Sequence, residues 1–344
     1  MRKTNGLILM TALVPTVGHD FLVNFGSQFI DGDLHVIISS RSFEPVPGSM
    51  RVAYFRGTTS HNVIVHDHYD DEAPQTPKSE NDIEFWAYWK DTIRRYAGQN
   101  IDYVFASEAY GQKVADIIGA EFIPVDIERS TFPVKGSSVR ADLFNNSDSI
   151  SPKIRSMLRR NVVLFGPESC GKTTMAKRLA KDMNGTFVSE WARPYLEYVG
   201  GDLTEHQMQM IVKGQVAQER SAELVSTKML IVKDTNILST LGFYRLWGIT
   251  QPPGLEKLAL IKRGELYIVM NDGIPFEKDP LRYGGDKRES AREYWINILK
   301  EFNKEYIVVQ STNHDEQFEE IKDAIMSHKQ HGMILNDIQN FVRD

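Results

Sequence analysis

Short apolar runs alternate with longer stretches of helical spacing from one end of the chain to the other. In the first half, "GLILMTAL" (6–13), "LHVIIS" (34–39), "VIVHD" (63–67), "DYVFAS" (102–107) and "EFIPVD" (121–126) read as buried strands. Between them, segments near 19–30, 49–56, 81–97 and 111–119 have the spacing of helices with one buried face. Strands alternating with helices predict a parallel sheet covered on both sides. The polar stretch "DHYDDEAPQTPKSEND" (67–82), rich in proline and acid, reads as a surface loop.

A second series starts at "NVVLFG" (161–166) and continues through "TFVSE" (186–190), "KMLIVKD" (228–234), "LYIVMND" (266–272) and "EYIVVQ" (305–310). Long helical segments separate these runs, notably 204–227, and a helix from about 315 closes the chain. The two series share no repeat. They predict two different α/β domains, residues 1–148 and 161–344. The linker falls at 149–160, within "NNSDSISPKIRSMLRR" (145–160), which lacks a strong apolar period.

Composition adds mainly exclusions. At 344 residues two domains are the natural expectation, and 41% hydrophobic with 25% charged residues is ordinary for a globular protein. A net charge of -6 gives no general affinity for nucleic acid or anionic membrane. The single cysteine, Cys170, cannot form an internal disulfide. No signal peptide opens the chain, and "GLILMTALV", ending at Pro15, is too short to span a bilayer. A cytoplasmic enzyme or binding protein is the expectation.

The candidate chemistry is concentrated in two places. "GPESCGKTT" (166–174) follows an apolar strand and opens the helical "TMAKRLAKDM", the context a phosphate-binding loop requires. Backbone N–H groups between Gly166 and Gly171, with the helix start at Thr173 and Thr174, would cradle a triphosphate. Lys172 would reach its β- and γ-phosphates, and Thr173 would offer its hydroxyl to Mg²⁺. Asp234 ends the strand "MLIVKD", where a second ligand or neighbour of that ion belongs. "EKDPLRYGGDKRESAR" places Arg282, Arg288 and Arg292 in a glycine-containing segment suited to a lid over the phosphates, whereas Lys287 reads as a solvated charge. Cys170 occupies a small-residue slot in the loop rather than the place of a catalytic thiol.

In the first half, "LILMTALVPTVGHDFLV" (7–23) is a strand, a turn at Pro15 and a helix beginning at "GH". A histidine at a helix start beside a glycine can hold a phosphate during transfer. Thr16-x-Gly18-His19 resembles the (His/Thr)-x-Gly-His motif of the nucleotidyltransferase superfamily. "PVKGSSVR" (133–140) resembles that superfamily's second motif, in which Ser137, Ser138 and Arg140 would bind the outgoing pyrophosphate.

The ordered pair resembles the NadR-type bifunctional proteins, which combine nicotinamide mononucleotide adenylyltransferase with ribosylnicotinamide kinase. The likeness covers nearly the whole chain. It rests on "VFASEAYGQKVADIIGAEFIPVDIERSTFPVKGSSVR" (104–140), "FWAYWK" (85–90), the phosphate loop, "SEWARPYLEYVGGD" (189–202), "DTNILST" (234–240) and "IPFEKDPLR" (274–282). It implies a Rossmann-like nucleotidyltransferase followed by a P-loop kinase. The first would transfer AMP from ATP to nicotinamide mononucleotide, giving NAD and pyrophosphate. The second would use ATP to phosphorylate nicotinamide riboside.

The resemblance implies catalytic positions at Thr16, His19, Arg140, Lys172 and Asp234, with Mg²⁺ on Thr173 and Asp234. Substrate positions would be Glu108, Arg129, Glu190, Arg193, Asp279 and a tryptophan, Trp86 or Trp89, stacked on the pyridinium ring. A plain core stripe is equally open to the two tryptophans, and a structural i, i+3 ion pair to Glu190 and Arg193. Phe276 falls where the family carries an aromatic.

Some positions depart from the family pattern. Thr11 and Leu13 replace a glycine and an aromatic in "TALVP", Lys135 occupies a serine position, and Asn236 replaces the second acid of "DTD". That last change questions the geometry around the metal. Some relatives carry an N-terminal helix-turn-helix, whereas this chain opens on its first strand, so DNA binding is not expected. Two rival readings are a fused phosphopantetheine adenylyltransferase with dephospho-coenzyme A kinase, and a non-catalytic NAD or ATP sensor. The sequence is silent on oligomeric state, which leaves a homo-oligomer open, and on amide against acid substrates.

Overall fold

The computed structural model describes residues 2–79, 82–200, 204–261, 265–271 and 291–341. The chain divides into two compact units, one of residues 1–157 with 336–344 and the other of residues 158–335. Each is a parallel-sheet α/β unit.

The first unit is built on strands β1 (Gly6–Met10), β2 (Leu34–Ser40), β3 (Val63–Tyr69), β4 (Tyr103–Ala106) and β5 (Glu121–Pro124). They form one sheet in the order β3-β2-β1-β4-β5, and every pairing is parallel. Helices α1 (Val17–Phe29), α2 (Gly48–Thr58), α3 (Ile83–Ala97), α4 (Tyr110–Ile118) and α5 (Gly136–Ala141) supply the crossovers and the closing segment. The central strands are apolar on both faces because both are covered: Leu7, Ile8, Leu34, Val36, Ile37, Ile38, Val104 and Phe105 are buried. Each such side chain contributes about 1.5–3 kcal/mol to folding.

The expected linker is not a solvated bridge. It forms a 3₁₀ turn at Ser147–Ser149 and helix α6 (Pro152–Leu158), with Ile150, Ser151 and Ile154 buried. Its apolar residues are few, which is why no period showed. The division falls instead after Met157.

The second unit carries β6 (Arg160–Phe165), β7 (Thr186–Val188), β8 (Leu230–Lys233), β9 (Glu265–Val269) and β10 (Tyr306–Val308), in the all-parallel order β10-β9-β6-β8-β7. Its helices are α7 (Lys172–Asp182), α8 (Ala192–Val199), α9 (Glu205–Val225), α10 (Ile237–Leu246), α11 (Leu255–Ile261), α12 (Ala291–Glu301) and α13 (His314–Ser327). Helix α14 (Leu335–Asn340) follows, and the residues from 336 group with the first unit, where Gln339 Nε2 donates to the Ala141 carbonyl. The second domain had been expected to run to the chain end. The segment is too short for its apolar residues to reveal which core they join.

In both units the strand order reverses beside the first strand in sequence, β1 or β6. Ligands bind outside the carboxyl ends of strands at such switch points.

Candidate active sites

In the first unit the site begins where β1 stops. The chain turns through Thr11–Pro15, and Thr16 enters α1 as its N-cap with extended backbone, φ -118°. His19 is the third residue of the helix, and its ring folds back onto the cap. The Thr16 N–H donates to His19 Nδ1 at 3.1 Å, and the Thr16 hydroxyl lies 2.7 Å from the same nitrogen. A backbone N–H can only donate, so Nδ1 is the acceptor and the ring proton resides on Nε2. Burial, then the charges of Arg129 and Arg140, push the His19 pKa down to about 4. At neutral pH His19 is therefore an uncharged ring donor.

A cavity of about 960 Å³ opens over this turn. Thr16, Gly18, His19, Trp86, Trp89, Glu108, Arg129, Ser137 and Arg140 all line it, so nearly every candidate of the first half converges on one space. Ser138 does not line it; this exposed residue lends its carbonyl to Asn146 Nδ2. A Cβ added at Gly136 would lie 3.8 Å from His19 Cε1 and 3.9 Å from Arg140 Nη1, which puts these residues of the two motifs around the start of α5. Burial holds the Arg140 pKa below its ordinary value.

Arg129 has φ +54° and donates to the Val134 carbonyl at 2.7 Å and to Glu108 Oε1 at 2.9 Å. Its loop is wound around Asp126, which accepts from the backbone N–H of Thr131 and of Phe132, each at 3.0 Å. Those bonds hold the Asp126 carboxyl below its usual pKa. Both tryptophans line the cavity, and Trp86 also packs against a buried cluster of Leu7, Ile37, Ile93 and Val104. Trp89 is 4% exposed and donates its indole N–H to the Pro74 carbonyl at 3.0 Å, whereas Trp86 is half-buried.

Two supports were not foreseen. Arg51, fully buried and paired with Glu44, donates to the carbonyls of Thr11 at 2.7 Å and Ser39 at 3.3 Å, bracing the ends of β1 and β2. Ser151 donates its hydroxyl to Asp20 at 2.7 Å and its N–H to the Pro15 carbonyl at 3.1 Å, so the segment read as linker holds the start of α1. Neither partner is near in sequence, and a lone arginine or serine gives no signal. The Thr11 departure is also explained: the left-handed residue of this turn is Ala12, φ +44°, so position 11 has no need of glycine.

The second site follows β6. Gly166 (φ +134°), Ser169 (φ +57°) and Gly171 (φ +82°) bend the loop, and Gly171 caps α7. Lys172 Nζ donates to the carbonyls of Gly166, at 3.1 Å, and Pro167. Cys170 is fully buried and donates to the Pro167 carbonyl, so it fills the loop's interior as the sequence suggested. The Thr173 hydroxyl donates to Asp234 Oδ2 at 2.7 Å. Asp234 Oδ1 is buried with no hydrogen-bond partner among the described residues. Burial raises the Asp234 pKa, against the Thr173 hydroxyl and the charges of Lys172, Lys177 and Arg193, which lower it. Three cations thus act on one carboxylate at the mouth of the loop.

Glu190 lies just past β7 and Arg193 in the first turn of α8, both half-buried. Thr174 is exposed on α7. Of the basic lid segment, Arg292 donates to the Val309 carbonyl at 3.2 Å, while Phe276, Asp279, Arg282, Lys287 and Arg288 lie outside the described residues.

Asn236 has a different task from the one its motif suggested. It is fully buried and caps α10: its Oδ1 accepts from the N–H groups of Leu238 (3.1 Å) and Ser239 (3.2 Å). Its Nδ2 donates to Glu265 Oε2 at 3.0 Å and Tyr267 Oη at 2.8 Å. The amide is thus engaged on both its oxygen and its nitrogen, and the Ser239 hydroxyl also donates to Oδ1 at 3.4 Å. Beside it Lys233, also fully buried, pairs with Glu219, Glu223 and Glu265. Burial alone would discharge Lys233, but the three carboxylates outweigh it and raise its pKa. Asn236→Asp is expected to set a second carboxylate against Glu265 and to lower the second unit's stability by about 3 kcal/mol. Urea unfolding of the two proteins at neutral pH measures that difference.

These features define a two-domain α/β protein with a histidine-bearing cavity in one unit and a phosphate loop in the other. The chain is homologous to NadR. It is 24% identical over 341 residues to the trifunctional NAD biosynthesis/regulator protein NadR of Escherichia coli (strain K12), covering 92% of this chain and 81% of that one. The Salmonella typhimurium protein of the same name is 24% identical over 324 residues, covering 88% and 77%. An AAA domain family model matches residues 161–317. Among solved structures, NadR protein in complex with NAD and AMP-PNP superposes with a TM-score of 0.53 at 18% identity, over 96% of this chain and 97% of that one. NadR protein in complex with NR gives 0.54 at 19%, over 94% and 95%. Among the described residues no helix is long and apolar enough to cross a membrane.

Proposed function

We propose that this chain makes NAD from nicotinamide riboside in two ATP-dependent steps, one in each unit. The observation that carries the reading is the pairing, in one chain homologous to NadR, of the His19–Arg140 cavity with the Thr173–Asp234 phosphate loop. The NadR complexes with NAD, AMP-PNP and NR support these ligands.

In the first unit, a phosphate oxygen of nicotinamide mononucleotide attacks the α-phosphorus of ATP, and the bond to pyrophosphate breaks. No proton has to move at the reacting centre. The protein's work is orientation and charge neutralisation. His19 donates from Nε2 to a phosphate oxygen, held in that tautomer by Thr16. Arg140, with Ser137, takes the charge that develops on the leaving pyrophosphate. Trp86, half-buried at the cavity wall, offers its face to the pyridinium ring, while Trp89 supports the wall.

In the second unit, the loop from Gly166 to Thr174 holds ATP and Lys172 neutralises the transferring phosphoryl group. Glu190 and Arg193 orient the riboside; the 5′-hydroxyl attacks the γ-phosphorus, the bond to ADP breaks, and the hydroxyl proton passes to the Glu190 carboxylate. Asp234 Oδ1, buried and unpartnered beside the Thr173 hydroxyl, suits a hard cation with oxygen ligands. Thr173 and Asp234 would hold Mg²⁺, which screens the phosphate charge when bound.

The His19 environment gives a pH prediction. The unfolded chain takes up this proton near its ordinary pKa of 6.5, the folded chain only near 4. Stability is therefore expected to fall as pH drops from 6.5 towards 4, and His19→Gln to flatten that fall. Urea midpoints across the range test it; identical slopes in both proteins would refute the assignment.

The reading itself is tested by incubating the protein with nicotinamide mononucleotide, ATP and Mg²⁺ and separating products by chromatography. NAD with pyrophosphate is expected, and none from phosphopantetheine. Turnover of phosphopantetheine in place of the mononucleotide would overturn it.

A further inference from the structure

The long helix α9 binds two site-bearing segments of the second unit to one side chain. Gln215 is 2% exposed. Its Oε1 accepts from the Trp191 N–H at 3.1 Å, and its Nε2 donates to the Thr235 carbonyl at 3.3 Å and to Glu219 Oε1 at 3.1 Å. The amide cannot be turned over, because the Trp191 N–H requires an acceptor and the Thr235 carbonyl a donor. Both neighbours matter. Trp191 sits between Glu190 and Arg193, and Thr235 follows Asp234.

The residue before Gln215 completes the attachment. A Cβ at Gly214 would fall 2.3 Å from Trp191 Cδ2, so the indole ring lies where only a glycine leaves space for it. The ring stacks on Tyr195 at 4.6 Å with planes 19° apart, which extends the hold into α8. On the other side Glu219 joins Gln215 to Lys233 and, through it, to Glu265. The tie is thus anchored in a buried charge network rather than in a loose loop.

We propose that Gln215 is a positioning residue of the phosphoryl-transfer site. It sets the segment holding Glu190 and Arg193 against the segment holding Asp234, and so aligns the acceptor with the phosphate loop. This rests on the riboside kinase reading. Gln215 touches neither substrate, and the loop that holds ATP makes no bond to it among those described. Its loss should act on the acceptor side.

The test is Gln215→Met in the whole two-unit chain, close in size and unable to make the three bonds. Losing buried bonds of this kind is expected to raise the KM for nicotinamide riboside about tenfold or more, with the KM for ATP changed less than about twofold. Formation of NAD from the mononucleotide should be unchanged. Amide exchange at Trp191 should speed up by about tenfold. Unchanged riboside KM, or equal rises in both KM values, would overturn the proposal. If the variant does not fold, exchange in the wild type decides: the Trp191 N–H should be as slow as the interior amides of α9, and rapid exchange there refutes the tie. A wild type that leaves the riboside untouched refutes the kinase reading, while Trp191 exchange in the two proteins still judges Gln215.

Discussion

Replacing His19 by alanine is expected to slow adenylyl transfer by roughly 10²–10³-fold, the loss that follows removal of one preorganised donor from a charge-developing centre. The expectation comes from what the ring already spends its atoms on. Nδ1 is occupied by the Thr16 cap, so Nε2–H is left as the ring's directed donor, and the low pKa keeps it a neutral one. Alanine would remove that donor and also free the Thr16 N–H. His19→Asn sets an amide atom where Nδ1 stands and can keep the cap bond, but it places no donor at the Nε2 position and should recover little. Thr16→Val, which keeps the backbone bond and removes the hydroxyl, should cost less than the histidine change, since it alters orientation rather than the donor itself. Initial rates of NAD formation from nicotinamide mononucleotide measure all three. Riboside phosphorylation should stay within about twofold in each, because the two sites lie in separate units.

Lys172→Ala is expected to have the opposite signature, lowering phosphorylation of nicotinamide riboside by about 10³-fold and sparing NAD formation from the mononucleotide. Lys172 opens α7 at the end of a loop bent by Gly166 and Gly171, and its ammonium group reaches the loop's own carbonyls at Gly166 and Pro167. Asp234→Asn belongs to the same site and should cost nearly as much. It removes the carboxylate that receives the Thr173 hydroxyl and whose second oxygen is unpartnered among the described residues. Separate assays with the riboside and the mononucleotide distinguish a local effect from a global one. A Lys172 variant that lost both activities in parallel would point to unfolding instead.

Much of this architecture was legible in the residues. Central strands buried on both faces write themselves as continuous apolar runs, and the partly exposed edge strands β3, β5, β7 and β10 also fall within a few residues of the runs that predicted them. Both site turns were legible for a related reason. A glycine-lysine-threonine loop or a Gly-His helix start is a local feature, complete within a few residues of chain, and His19, Lys172 and Thr173 could be named from it.

Supports that act across the fold left no such trace. Arg51 meets Thr11 across 40 residues of chain, Ser151 meets Asp20 across 131, and Gln215 meets Trp191 across 24. Each is a polar side chain whose importance lies in being buried, and burial of an isolated polar residue has no period. The buried contacts of Asn236 were hidden for a similar reason. The motif around it directs attention to a lost acid, whereas the groups that receive its amide N–H, Glu265 and Tyr267, lie 29 and 31 residues away. The tryptophan pair differs only in packing: helical spacing puts Trp86 and Trp89 on one face, and Trp89 is the one tied to the Pro74 carbonyl.

The central claim is that one chain joins the two reactions. Its most direct test supplies the wild-type protein with nicotinamide riboside as the sole pyridine source, with ATP and Mg²⁺, and follows all nucleotides over time by chromatography. Nicotinamide mononucleotide should appear first and NAD after a lag, with an ADP and a pyrophosphate released for each NAD made. Riboside left unconverted, or mononucleotide that accumulates with no NAD, would contradict the claim.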